Sequence, residues 1–198
     1  MSQVVAATAH PAVGRMGIES GKLGMWLFLA SEVMFFTGFL SAYIVLRAAH
    51  PAWPGAGGHL SVPIGTANTL ILICSSMTMA LAVGAVGHRS VVLTRSYLLA
   101  TILLGGRFLG VKFHEYGLKF HHGIGPSTNI FWSCYFTLTG IHGLHVAIGV
   151  VANLWVLLLT FGGRFWEAKS HIVELSGLYW HFVDIVWIFL FPLIYLVN

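Results

Sequence analysis

Glu32 stands alone in "MWLFLASEVMFFTGFL", the one carboxylate in an almost wholly apolar run. An ionisable side chain in such a run is a functional-site candidate by default, because hydrocarbon tolerates it poorly and it must face protein or a cavity. The stretch "HIVELSGLYWHFVDIVWIFLFPLIYLV" carries three more such groups. Glu174 and His181 are seven residues apart and His181 and Asp184 three apart, so helical geometry puts all three on one stripe about 80° wide. In "TGIHGLHVAIG", His142 and His145 are spaced i, i+3, and in "GVKFHEY" Lys112 and Glu115 can pair one turn apart. Arg107, in "LLGGRFLGV", puts a positive charge eleven residues into a further apolar run.

Acids and imidazoles on one stripe can hold a metal, pass protons or tie helices together. With 11 histidines the metal question is a fair one, and His142, His145, His181 and Asp184 supply suitable donor types. The sequence carries no HExxH, no paired CxxxC and no ExxH on two helices of the kind that di-iron bundles use. No serine or cysteine sits in a nucleophile elbow. No catalytic, cofactor-binding or metal-ligating residue is therefore assigned. The plainer role, stapling one helix to another, contributes about 0.6–2 kcal/mol per bond and stays open beside the functional one.

The elements that must position these groups follow from composition. Of the 198 residues, 57% are hydrophobic and 8% charged, against about 25% charged in soluble domains. Mean hydropathy is +0.84. Five apolar runs predict an all-α integral membrane bundle, one domain over 1–198, with spans at 23–46, 62–86, 96–115, 129–161 and 172–197. The fourth exceeds the bilayer thickness and is expected to tilt or project. "HPAWPGAGGHLSVP" and "GLKFHHGIGPST" read as loops, and "GHRSVVLTR" and "GGRFWEAKS" as short basic links. The first twenty residues lack the apolar core of a cleavable signal peptide.

With the N-terminus cytoplasmic, that side holds Arg15, Lys22, Arg89, Arg95, Arg164 and Lys169, and the other holds Arg47 and Lys119 with Lys112 nearby. The positive-inside rule thus predicts a cytoplasmic N-terminus and a periplasmic C-terminus. Scattered basic residues give no reason to expect a nucleic-acid partner. Trp53 and Trp166 fit interfacial anchors, and Cys74 and Cys134, with no CxxC, read as small core residues. Glu32 and His181 each lie about nine residues past the same end of their spans, about 14 Å deep, so a Glu32–His181 bond is one expectation. Arg107 is expected to find Glu32 or Asp184, to meet a lipid phosphate, or to snorkel.

Together, "GMWLFLASEVMFFTGF", "NTLILICSSMTMALA", "FLGVKFHEY", "TGIHGLHVAIG" and "HIVELSGLYWHFVDIVWIFLF" resemble subunit III of the haem–copper oxidases, most closely the cytochrome c oxidases, in family order across all five spans. The chain fits the five-helix bacterial form, which lacks the first two of seven helices. Quinol-oxidase members usually have Asp where Glu32 stands, which favours the cytochrome c branch and leaves a quinol oxidase subunit III as the alternative.

The resemblance implies an accessory, non-catalytic subunit of a proton-pumping terminal oxidase of aerobic respiration, in the bacterial inner membrane. Haems and copper are expected in partner subunits and none in this chain. It implies packing on subunit I, association with subunit II and other oxidase subunits, phospholipid held in a cleft, and support of proton uptake and turnover stability. Membership of a respiratory supercomplex and an oxygen route through the cleft are further implications. Glu32 matches the family's buried carboxylate and His181 the histidine of "WHFVD". Arg107 departs from the small or apolar residue usual there. The rivals from other classes are a freestanding membrane metalloenzyme on the His142, His145, His181 and Asp184 set and a proton-coupled carrier using Glu32; the inverted repeats typical of carriers are not visible.

Overall fold

The computed structural model describes residues 20–57, 60–162 and 170–197. Expectations for Arg15, Arg164, Trp166 and Lys169 fall outside them. Five helices cover most of the described chain: α1 (Ser20–Ala49), α2 (Val62–Gly87), α3 (Val91–His121), α4 (Ile130–Leu159) and α5 (His171–Phe191), the last continued by one wider turn over Pro192–Leu196. All five are long and apolar enough to cross a membrane. The protein is a multi-pass helical membrane protein.

Three helices, α1 to α3, overrun the predicted spans, most of all α3, which starts five residues earlier and ends six later than 96–115, whereas α4 falls just inside 129–161. Hydropathy marks only the part of a helix inside hydrocarbon, whereas backbone hydrogen bonding continues until something breaks it. In α3 the breaker is Gly123, at φ +72°, a left-handed conformation that closes helices readily only at glycine. Residues 117–121, expected as loop, are therefore helical. At the start of α4, Asn129 caps the helix as its Oδ1 accepts the Trp132 N–H at 2.9 Å.

Short links make neighbours antiparallel, and side-chain contacts fix their register. Along α2 and α5 the pairs run Thr69–Trp187, Ser75–Trp180 and Ser76–His181. Along α3 and α4 they run Arg95–Thr160 at one end and Tyr116–Thr139 towards the other. α1 lies parallel to α5, from Lys22–Glu174 to Tyr43, whose hydroxyl donates to the Leu193 carbonyl. Half of the most apolar window of α5 is buried but only 17% of that of α1. α5 is thus the central post, and α1 leans on it from outside.

The ring of Trp180 locks the centre. A Cβ added at Gly105 of α3 would meet the Trp180 ring at 2.6 Å, and one at Gly149 of α4 at 2.8 Å. The indole fills the space two absent side chains leave, and its N–H donates to the Ser75 hydroxyl at 3.1 Å. One layer along, Trp187 packs edge-on to Phe108 at 5.0 Å. Past Phe191, Pro192 has no N–H to donate, and Val197 N–H bonds the Pro192 carbonyl five residues back. This wider turn carries Tyr195 into the core at 3% exposure. Trp53, expected as an interfacial anchor, packs edge-on against Tyr43 and Phe131. Cys74 is exposed on α2 rather than in the core.

Candidate functional site

Three polar centres interrupt the apolar bundle. The first joins α3, α4 and the C-terminal turn. Lys112, Glu115 and Lys119 share one face of α3, as i, i+3 and i+7 spacing requires, and are 6%, 8% and 5% exposed. Lys112 donates to Glu115 Oε2 at 3.0 Å and Lys119 to Oε1 at 2.7 Å. The hydroxyls of Tyr135 and Tyr195 each reach Oε1 at 3.0 Å. The Lys112–Glu115 pair was legible in sequence; Lys119 and both tyrosines were missed. The KxxExxxK spacing was the available signal for Lys119, whereas nothing local announces a tyrosine eighty residues away.

Two ammonium groups against one carboxylate leave a net positive charge in a nearly dry site. Aromatic faces answer part of it: Lys112 Nζ lies 4.7 Å from the Trp187 ring centre and Lys119 Nζ 5.0 Å from that of Tyr135. A pocket of about 170 Å³ opens beside Glu115 and Lys119. The arrangement is a charge-assisted clamp.

The second centre is where Glu32 went. Its Oε2 lies 3.1 Å from His145 Nε2 on α4, not beside His181. Equal depth was satisfied, but rotation decided the partner: His181 points to α2, where Nδ1 meets the Ser76 hydroxyl at 2.7 Å. His145 is held from behind, Nδ1 at 2.8 Å from the Ile141 carbonyl, with Phe36 edge-on at 5.0 Å. His142 and His145 share no ligand sphere. His142 is fully buried, stacked on Trp187 at 4.9 Å, with neither ring nitrogen hydrogen-bonded among the described residues.

The third centre is the α5 stripe. Glu174 pairs with Lys22 at 2.7 Å, both side chains about 40% exposed, and such a pair contributes about 0–1 kcal/mol. Asp184 is 4% exposed and neither of its oxygens makes a well-formed hydrogen bond, although the Ser76 hydroxyl lies beside it. Between α1 and α2, floored by α5, opens a groove of about 450 Å³ lined by Lys22, Trp26, Ala80, Val83, Glu174, Gly177, Leu178 and His181. It has apolar walls with an ion pair towards one end.

Arg107 meets none of its expected acids. It lies on the exposed face of α3 and makes no hydrogen bond or ion pair among the described residues. Glu32 is committed to His145 across the bundle, and Asp184 faces α2. Left in hydrocarbon, a charge at mid-helix costs about 2.5–3.5 kcal/mol on insertion scales. Among the described residues no group of three or more His, Cys, Asp or Glu is placed to hold a metal ion.

Comparison with known proteins bears on the whole chain. A family model described as cytochrome c oxidase subunit III matches residues 3–198. The cytochrome c oxidase subunit 3 of Thermostichus vulcanus is 38% identical over 177 residues, 89% of this chain and 87% of its own length. The quinol oxidase subunit 3 of Bacillus subtilis is 34% identical over 190 residues, 93% of this chain and 89% of its own length. A heme-copper oxidase subunit I+III of Aeropyrum pernix is 36% identical over 181 residues, 87% of this chain and 22% of its own length.

Proposed function

The chain belongs to the cytochrome c oxidase subunit III family and is an accessory subunit of a haem–copper oxidase in the bacterial inner membrane; we propose that it packs directly on subunit I and holds lipid against that interface. Membership places it in an oxidoreductase complex with other oxidase subunits, whose haems and copper lie outside the subunit III family. The fused subunit I+III of Aeropyrum pernix supports direct contact with subunit I, since fusion keeps the two parts within a linker's reach of each other.

The observation that carries the lipid reading is the α1–α2 groove. Acyl chains suit its apolar walls, and Lys22 with Glu174 offers a zwitterionic headgroup a partner for each of its charges. On this reading the polar centres serve to tie helices together, and the catalytic work belongs to the partner subunits. Electrons, on this reading, pass from cytochrome c. The relative named as a quinol oxidase subunit 3 keeps quinol as the second reading, and a dinuclear copper centre in the accompanying subunit II would exclude it.

The test is the purified oxidase with and without this chain. Initial oxygen consumption should survive its removal, while activity over prolonged turnover should decay sooner and bound phospholipid, counted by native mass spectrometry, should fall. Trp26→Ala with Lys22→Ala in the intact complex should release the same lipid. A complex stripped of this chain that keeps its lipid and full activity through long turnover overturns the reading.

A further inference from the structure

Among the described residues, Arg107 is a mid-helix charge that the bundle does not explain. It lies twelve residues from both Arg95 and Lys119, about 18 Å along the helix axis from each. Those two cations are answered within the chain: Arg95 donates to the Thr160 carbonyl and hydroxyl, and Lys119 to Glu115. Arg107 sits midway between them on an exposed part of the α3 surface, turned away from the buried Lys112–Glu115–Lys119 face. From that depth an arginine side chain reaches a headgroup only by snorkelling with local thinning of the bilayer, a cost that an acid on a neighbouring helix avoids.

The surface around it is built for close approach. Gly106 and Gly110 lie on the same exposed face, and a Cβ at either would meet nothing within 4 Å. Gly105 and Gly149 are accounted for by Trp180; Gly106 and Gly110 have no such internal reason. Small residues four apart let another helix backbone come near. We propose that this face of α3 docks a transmembrane helix of another oxidase subunit bearing an aspartate or glutamate at mid-membrane, which neutralises Arg107. A second copy of this chain does not fit. Of its four acids among the described residues, Glu115 and Asp184 are buried, Glu32 is paired in the α1–α4 contact and Glu174 sits at a helix end.

The inference rests on the accessory-subunit reading and locates one of its interfaces. The experiment uses the whole oxidase, purified through a tag on a haem-bearing subunit. Arg107→Leu leaves the partner acid unpaired and should lower recovery of this chain by at least about tenfold, because stripping one partner from a desolvated ion pair is strongly destabilising. Arg107→Lys should keep most of it. A photo-crosslinking residue at Leu103, on the same face, should join this chain to another oxidase subunit, which a misfolded variant cannot mimic. Full recovery of Arg107→Leu, or crosslinks from Leu103 to lipid or to a second copy only, overturns the docking proposal while the family reading stands. Failure of the unmodified chain to co-purify with any haem-bearing subunit overturns both.

Discussion

Glu115 serves two lysines and two tyrosines at once, and the energetics of that arrangement are asymmetric. A buried ion pair gains little over a well-packed apolar replacement, yet removing one member leaves charge stranded at a cost of about 3–5 kcal/mol. Glu115→Gln strands Lys112 and Lys119 together. It should lower the thermal midpoint of the detergent-solubilised protein sharply, whereas Lys112→Met with Glu115→Leu and Lys119→Met should recover much of the loss. Equal midpoints for Glu115→Gln and the parent would show that the clamp contributes nothing. Glu32 and His145 form a looser pair, 18% and 13% exposed. Residue types and depths of the buried acids were readable in the sequence. Which imidazole Glu32 would meet was not, because His145 and His181 are alike in chemistry and differ only in the side of the bundle they face.

For the helices, small residues mark where backbones or rings come closest. Gly105 and Gly149 admit the Trp180 indole between α3 and α4. Gly105→Ala pushes a methyl into a ring held by its own bond to Ser75 and should destabilise the protein by about 1–3 kcal/mol, as overpacking does. Gly106→Ala, one residue along and facing open space, should leave the thermal midpoint of the isolated chain unchanged or slightly raised, since alanine favours helix. Melting the two variants side by side checks both. Equal effects would mean that Trp180 can move aside. Hydropathy located all five helices but cut α3 short at both ends, because polar residues beyond the hydrocarbon still hydrogen-bond along the helix until Gly123 turns the chain. The face that α3 turns to Trp180 became readable only once α4 and α5 were in place.

Across the whole molecule, burial is uneven. α5 is enclosed, and α1 exposes Trp26, Leu27, Val33, Met34 and Val45 along its outer side. Such a surface is satisfied by lipid or by neighbouring subunits, as an accessory membrane subunit requires. The basic-residue bias predicts the α2–α3 link in the cytoplasm and the α1–α2 loop in the periplasm. With Cys74 and Cys134 replaced by alanine, a membrane-impermeant thiol reagent added to intact cells should label Ala52→Cys and spare His88→Cys. The reverse pattern would invert the topology.

Sequence alone determined the solvent this protein folds in, its number of helices, its family, and the identity of the side chains too polar for lipid. Solvent and helix number depend on composition and on periodicity along one helix, which neighbouring residues carry, and the family on the resemblance of five motifs in order. The tertiary structure decided the partners: Glu32 with His145, His181 with Ser76, Tyr195 on Glu115, and Arg107 facing out of the bundle. Pairing depends on how each helix is rotated about its axis. For α2 to α5 the packing of Trp180 against two glycines and Ser75 on three separate helices bears on that rotation, a constraint that no single stretch of sequence contains.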